Sequence, residues 1–158
     1  MPTIVPAVEA DVPVIVGLIR ALAIYERLEH EMVATEDDIR RALFGPRPYA
    51  EVILARDGSD TVGYAWFFHN YSTFRGRPGI YLEDLFVLPE RRGHGYGRAL
   101  LVALARLAVE RGCAHYEWSV LDWNEPAIGF YRRMGAEVME EWRICRVTGD
   151  ALARLAAS

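Results

Sequence analysis

The chain has no lysine: all 18 of its basic residues are arginine. A phosphate loop of the Gly-Lys-Ser/Thr type is therefore excluded. Cysteine is scarce as well, with only Cys113 and Cys145, far apart and without ligand spacing. That excludes a disulfide framework and leaves no basis for a metal site or a thiol nucleophile. No apolar run approaches the roughly 18 residues of a membrane span. The start, Met1-Pro2-Thr3-Ile4, lacks the basic region and apolar stretch of a signal peptide, so a cytoplasmic chain with no membrane partner is expected. Positive charge is also short. A net charge of -4 argues against a nucleic-acid partner, because neutralising phosphates needs a basic patch; cationic ligands remain open.

What is present fits one globular domain, 1–158. The composition is 52% hydrophobic and 25% charged, and a chain of this length buries about two-thirds of its unfolded surface unaided. No internal repeat, low-complexity tract or linker breaks it. Ile4 to Val8 reads as an edge strand. Asp11 caps a helix running to about Leu28 with Val12, Ile15, Val16, Ile19, Leu22 and Ala23 inward. Thr35 and Asp38 have capping-box spacing ahead of a helix that stops before Gly45-Pro46. Tyr49–Arg56 and Thr61–Asn70 form a hairpin about Asp57-Gly58-Ser59-Asp60, and Ser72–Gly79 is a loop. Ile80–Val87 is the central strand, followed by a helix over Arg98–Arg111 and a strand over His115–Leu121, a βαβ unit. Asn124 caps a short helix with Pro126 in its first turn, and Gly135 ends it. Ala136–Val147 supplies one or two final strands, and Asp150–Ala157 a terminal helix or tail.

The densest chemistry lies in Tyr81–Gly97, YLEDLFVLPERRGHGYG. Arg92-Gly93-His94-Gly95-Tyr96-Gly97 sits between a strand and a helix whose Leu100, Leu101, Leu104, Leu107 and Ala108 recur at helical spacing. Alternate glycines let backbone N–H groups approach an anion, and the helix dipole adds attraction, so a diphosphate is the expected ligand. A dinucleotide fingerprint would want glycine where Arg98 stands, although Glu117 lies near the distance of a ribose-binding acid. A glycine-rich turn without a ligand also satisfies the pattern.

Arg92–Gly97 also fits the Arg/Gln-x-x-Gly-x-Gly/Ala loop, and on that loop the chain resembles the GNAT superfamily of N-acetyltransferases. Tyr81-Leu82-Glu83-Asp84, Leu121–Pro126 with Phe130-Tyr131, Leu18–Glu26, Tyr71–Gly76 and Trp142-Arg143 are similar to its spermidine/spermine (diamine) N-acetyltransferase branch. That branch includes the thialysine-acetylating relatives.

The resemblance implies a GNAT fold of the α/β (α+β) class: a mixed, mostly antiparallel sheet flanked by helices, with a splayed central strand. It implies acetyl-CoA as co-substrate, its pyrophosphate on Arg92, Gly93, His94, Gly95, Tyr96, Gly97 and Arg98. The pantetheine arm would lie along Leu85, Phe86 and Val87, exposed by a bulge near Glu83–Leu85, with Asn124, Pro126 and Tyr131 beside the cofactor. An aliphatic amine has a pKa of about 10 and must lose a proton before attack; by resemblance Glu83 is the base, through a water. Tyr131, seven residues after Asn124 and so on nearly the same helix face, is the acid for the departing thiolate. Tyr25, Glu26, Glu83, Asp84, Glu141 and Trp142 are the positions for a cationic amine, and adjacent Glu83 and Asp84 reach one pocket only if the strand is bulged. The expected activity is direct acetyl transfer to a small diamine, polyamine or lysine/thialysine-like amine. Alternatives are acetylation of a protein lysine or N-terminus, and a non-catalytic acyl-CoA-binding module. A homodimer is also implied.

Overall fold

The computed structural model describes residues 2–158, which form two compact units, 2–119 and 120–158. In the first unit five strands make one sheet in the order β1-β2-β3-β4-β5. They are β1 (Thr3–Pro6), β2 (Glu51–Asp57), β3 (Asp60–Ser72), β4 (Arg77–Val87) and β5 (Tyr116–Trp118). The first four pair antiparallel and β5 lies parallel to β4, so the expected mixed sheet is present. Its helices are α1 (Val12–Tyr25), α2 (Glu36–Phe44) and α3 (Tyr96–Glu110).

Local chemistry accounts for most of these boundaries. Thr35 accepts the Asp38 N–H at 3.2 Å and its own N–H donates to Asp38 Oδ2 at 2.9 Å, the expected capping box at the start of α2. α1 stops three residues short of Leu28. Arg27 turns left-handed (φ 62°), and the Leu28 N–H reaches back to the Ala23 carbonyl at 2.8 Å, closing the helix end. β1 is likewise shorter than Ile4–Val8, since Val8 precedes a turn of 3-10 helix closed by Asp11. The loop expected over Ser72–Gly79 shrinks to four residues, because the β3–β4 ladder continues through Ser72 and Arg77 before the chain reverses at Gly76 (φ 64°).

One face of the sheet presents Val52, Leu54, Tyr64 and Phe86 to Val12, Ile15, Leu18 and Leu22 of α1 and to Ile39 and Leu43 of α2. Ala55, Ala65, Phe67, Ile80 and Leu82, on the opposite face by the strand register, are buried as well, and α3 packs on β2, β3 and β4 through Leu100, Leu101, Leu104 and Ala108. The β4-α3-β5 crossover is the expected βαβ unit.

The second unit holds α4 (Glu125–Arg133) and α5 (Gly149–Ala156). Asn124 caps α4 by accepting the Ala127 N–H at 3.3 Å, Pro126 lies in the first turn, and Gly135 is left-handed (φ 95°) just past its end. The final strands expected over Ala136–Val147 are not formed: residues 137–148 are exposed, with neither helix nor strand. A strand without a neighbour leaves its backbone donors and acceptors unpaired, and among the described residues no neighbouring strand pairs with this segment. No helix among the described residues is long and apolar enough to cross a membrane.

Candidate active site

The register of β4 against β3 builds the site. Trp66 pairs with Asp84 while Phe67 pairs with Leu82, so Glu83 is the extra residue of a β-bulge within the stretch where one was expected. Asp84 thereby joins Tyr64 and Phe86 on the face covered by α1, next to an exposed Glu83. β5 pairs with β4 only over Ile80–Leu82. Beyond Leu82, among the described residues, no strand takes the side of β4 that faces away from β3. Leu85, Phe86 and Val87 therefore lie on an edge without a strand partner, where Arg92 Nε takes the Val87 carbonyl, while the Phe86 and Val87 side chains remain buried.

The electrostatics follow from this arrangement. Tyr64 is fully buried and its hydroxyl donates to Asp84 Oδ2 at 2.9 Å. Burial lifts the Asp84 carboxyl to about 6 against the Tyr64 hydrogen bond, and Glu83 and Glu26 push the same way. Glu26, just past the end of α1, is also raised by burial. The Tyr64 phenol is raised too, first by burial and then by Asp84. Three carboxylates, from α1's C-terminal turn and the β4 bulge, thus share one region. Tyr25 lines it, its ring 6.4 Å from Phe86. Arg92 turns inward: its Nε donates to the Val87 carbonyl at 3.0 Å, and its guanidinium sits 4.5 Å from the Tyr25 centroid and 5.4 Å from that of Phe86.

At the C-terminal end of β4 the chain passes Pro89–Arg91 and the glycine corner before α3. Gly93 (φ 81°) and Gly95 (φ 84°) are both left-handed, the conformation that requires glycine here. Gly97 is already in the helix. Gly95 caps α3 without a side-chain acceptor, so the amides of Tyr96, Gly97 and Arg98 have no acceptor within the helix and are available to an anion. The corner is braced: Arg91 pairs with Asp57 at 2.9 Å and Asp60 at 3.0 Å, and His94 Nδ1 lies 2.9 Å from the Arg92 carbonyl.

In the second unit Tyr131 is half-buried with its ring 5.7 Å from Phe130, on the same short helix that buried Asn124 caps. Glu141 and Trp142 fall in the segment without helix or strand, and Trp142 is 75% exposed.

Sequence reasoning missed Tyr64. A tyrosine inside the apolar run Val62–Phe68 reads as core, and its partner Asp84 lies on the next strand. The available signal was the hydroxyl itself, since a buried phenol needs a hydrogen-bond acceptor.

A family model described as the acetyltransferase (GNAT) family matches residues 18–136. Thialysine N-epsilon-acetyltransferase of Mus musculus is 37% identical over 159 residues, covering 94% of this chain and 93% of its own length. L-ornithine N5-acetyltransferase of Arabidopsis thaliana is 36% identical over 191 residues, with 92% and 84% covered. Among solved structures, an integron cassette protein from the mobile metagenome of V. cholerae matches with a TM-score of 0.84 at 27% identity, over 99% of this chain and 98% of that one. With a family model that spans both units and relatives above 30% identity along nearly its whole length, the chain belongs to the GNAT family and is an N-acetyltransferase.

Proposed function

We propose that the two units work as one cytoplasmic, homodimeric acetyltransferase domain that uses acetyl-CoA to acetylate a primary amine of a small cationic molecule. The observation that carries the acceptor class is the bulge of β4, which sets Glu83 and Asp84 in one region with Glu26. Clustered carboxylates with a tyrosine face suit ammonium groups. The relatives named for thialysine and L-ornithine point the same way, because each of those compounds carries a second ammonium beside the one that reacts. The donor's diphosphate would rest on the glycine corner, and its pantetheine arm would pair with the free edge of β4.

The chemistry then needs few groups. Glu83 takes a proton from the ammonium through a water, and the freed amine attacks the thioester carbonyl. A backbone amide of Leu85, Phe86 or Val87 steadies the oxyanion, a contribution of about 3 to 4 kcal/mol. The carbon–sulfur bond breaks and Tyr131 protonates the leaving thiolate. No acetyl-enzyme forms. A thiol-release assay across diamines, polyamines, lysine, ornithine and thialysine, run beside lysine-containing and free N-terminal peptides, tests the reading. Turnover confined to the peptides would contradict it, and ping-pong kinetics would contradict direct transfer.

A further inference from the structure

We propose that Tyr64 is a positioning residue for acceptor recognition: its buried hydroxyl holds Asp84 Oδ2, and so aims Asp84 Oδ1 at a cationic centre of the acceptor other than the amine that reacts. The inference rests on the reading of a small cationic acceptor and identifies which groups would read its second charge.

The geometry divides the two oxygens of Asp84. Oδ2 accepts from Tyr64 at 2.9 Å. Oδ1 takes no hydrogen bond from any described residue, yet it is not among the sealed polar atoms that lack a partner. It therefore faces space that a ligand can reach. Tyr64 is well fixed for the task. It is fully buried at the centre of β3, paired with Leu54 on one side and Phe86 on the other, and packed among the α1 and α2 side chains. A phenol so enclosed has one orientation, and it imposes that orientation on the carboxylate.

The groups around Asp84 favour a cation. Tyr64 faces it from β3, Glu83 adjoins it in the β4 bulge, and Glu26 faces it from the end of α1. Arg92 is engaged elsewhere: its guanidinium is spread over Tyr25 and Phe86 and its Nε is committed to the Val87 carbonyl. Among the described residues none of the three carboxylates forms an ion pair. A second ammonium of the acceptor would supply the missing charge.

Removal of the hydroxyl has a distinctive consequence, because the hydrogen bond favours the ionised carboxyl while burial and the neighbouring acids oppose it. In Tyr64→Phe the ring stays and the donor goes, so Asp84 holds its proton to higher pH and loses its fixed aim. For a diamine, KM should rise about tenfold at pH 7, the size of one hydrogen bond to a charged group, with a much smaller change in kcat. The acid limb of kcat/KM should move upward by about one pH unit. For a monoamine of equal chain length, which has no second charge, both effects should be absent. Asp84→Asn, which keeps an acceptor for Tyr64, should abolish the preference for the diamine and flatten that limb. Carboxyl carbon NMR of labelled aspartate, with the Asp84 signal assigned by its loss in Asp84→Asn, should show its titration displaced upward in Tyr64→Phe. Circular dichroism verifies the fold of both variants. Equal changes for diamine and monoamine, or coincident Asp84 titrations, would overturn the inference alone. A wild-type protein that acetylates diamines no better than monoamines would remove the acceptor reading and the inference together.

Discussion

Asp84 is a group whose charge opposes the fold that contains it. In the folded chain it gives up its proton near pH 6, against 3.8 for the ordinary aspartate. Folding therefore binds a proton between those values, and stability falls as pH rises through that window. A difference of that size corresponds to about 3 kcal/mol, an upper bound on what its charge withdraws at neutral pH. Asp84→Asn should accordingly melt several degrees higher than the wild type at pH 8 and converge with it below pH 4, as thermal unfolding across pH would show. Destabilisation at pH 8 would refute this cost of the Asp84 charge. The price of that gain should be acceptor binding, the usual exchange at a strained site. Glu83 differs: it is exposed in the bulge, and in the proposed role of general base its loss would fall on turnover. Glu83→Gln should lower kcat by about 10²- to 10⁴-fold with little change in acetyl-CoA affinity, and Tyr131→Phe should show the same pattern. Parallel losses in kcat and in coenzyme affinity measured by calorimetry would remove both from the proton-transfer roles.

The glycine corner behaves as an element because its two left-handed residues set the direction in which α3 leaves β4. A Cβ added at Gly95 would meet nothing within 4 Å, so the cost of Gly95→Ala is purely one of backbone conformation, about 1 to 2 kcal/mol. Relieving that strain would rotate the Tyr96–Arg98 amides, and acetyl-CoA affinity should drop more than stability predicts. Calorimetry beside thermal melting separates the two. The sequence revealed this element, the Thr35–Asp38 box and the Asn124 cap, because each is written within a few consecutive residues. The bulge was legible only as a requirement: adjacent Glu83 and Asp84 needed one to reach a common pocket, and the register supplies it at Glu83. Tyr64 was not legible, since its meaning depends on pairing β3 with β4 in one register. The segment 137–148 misled for the same reason, because apolar residues at Val138, Ile144 and Val147 suggest strands while strand formation depends on a neighbour that sequence spacing does not encode.

At the scale of the molecule the two units differ in how they treat apolar surface. The first unit buries Val12, Ile15, Leu54, Phe67, Leu82 and Leu100 about the two faces of its sheet, while Val33, Tyr49, Phe74 and Val109 stay exposed. In the other, Met139, Trp142, Ile144, Val147, Leu152 and Leu155 are all exposed, from 46% for Val147 to 75% for Trp142, and α5 has no buried residue. Apolar side chains left exposed within one stretch of sequence are the kind of surface that the proposed dimer would cover. Family resemblance makes a second copy of this chain the expected partner, and an isologous contact would let each copy cover the other's surface. The protein should therefore sediment at twice its 17.9 kDa chain mass. Ile144→Asp, which places a charge in that exposed segment outside α4, should shift the equilibrium toward monomer by at least tenfold, the effect of about 1.4 kcal/mol at an interface. Sedimentation velocity across a dilution series reads this directly. A wild-type monomer at high concentration would refute the dimer, and a variant that sediments as the wild type does would move the interface elsewhere. Because Trp142 and Glu141 lie in the same segment, KM for the amine measured on the monomeric variant would also reveal whether assembly orders the acceptor side of the site: a rise in KM at constant kcat is expected if it does.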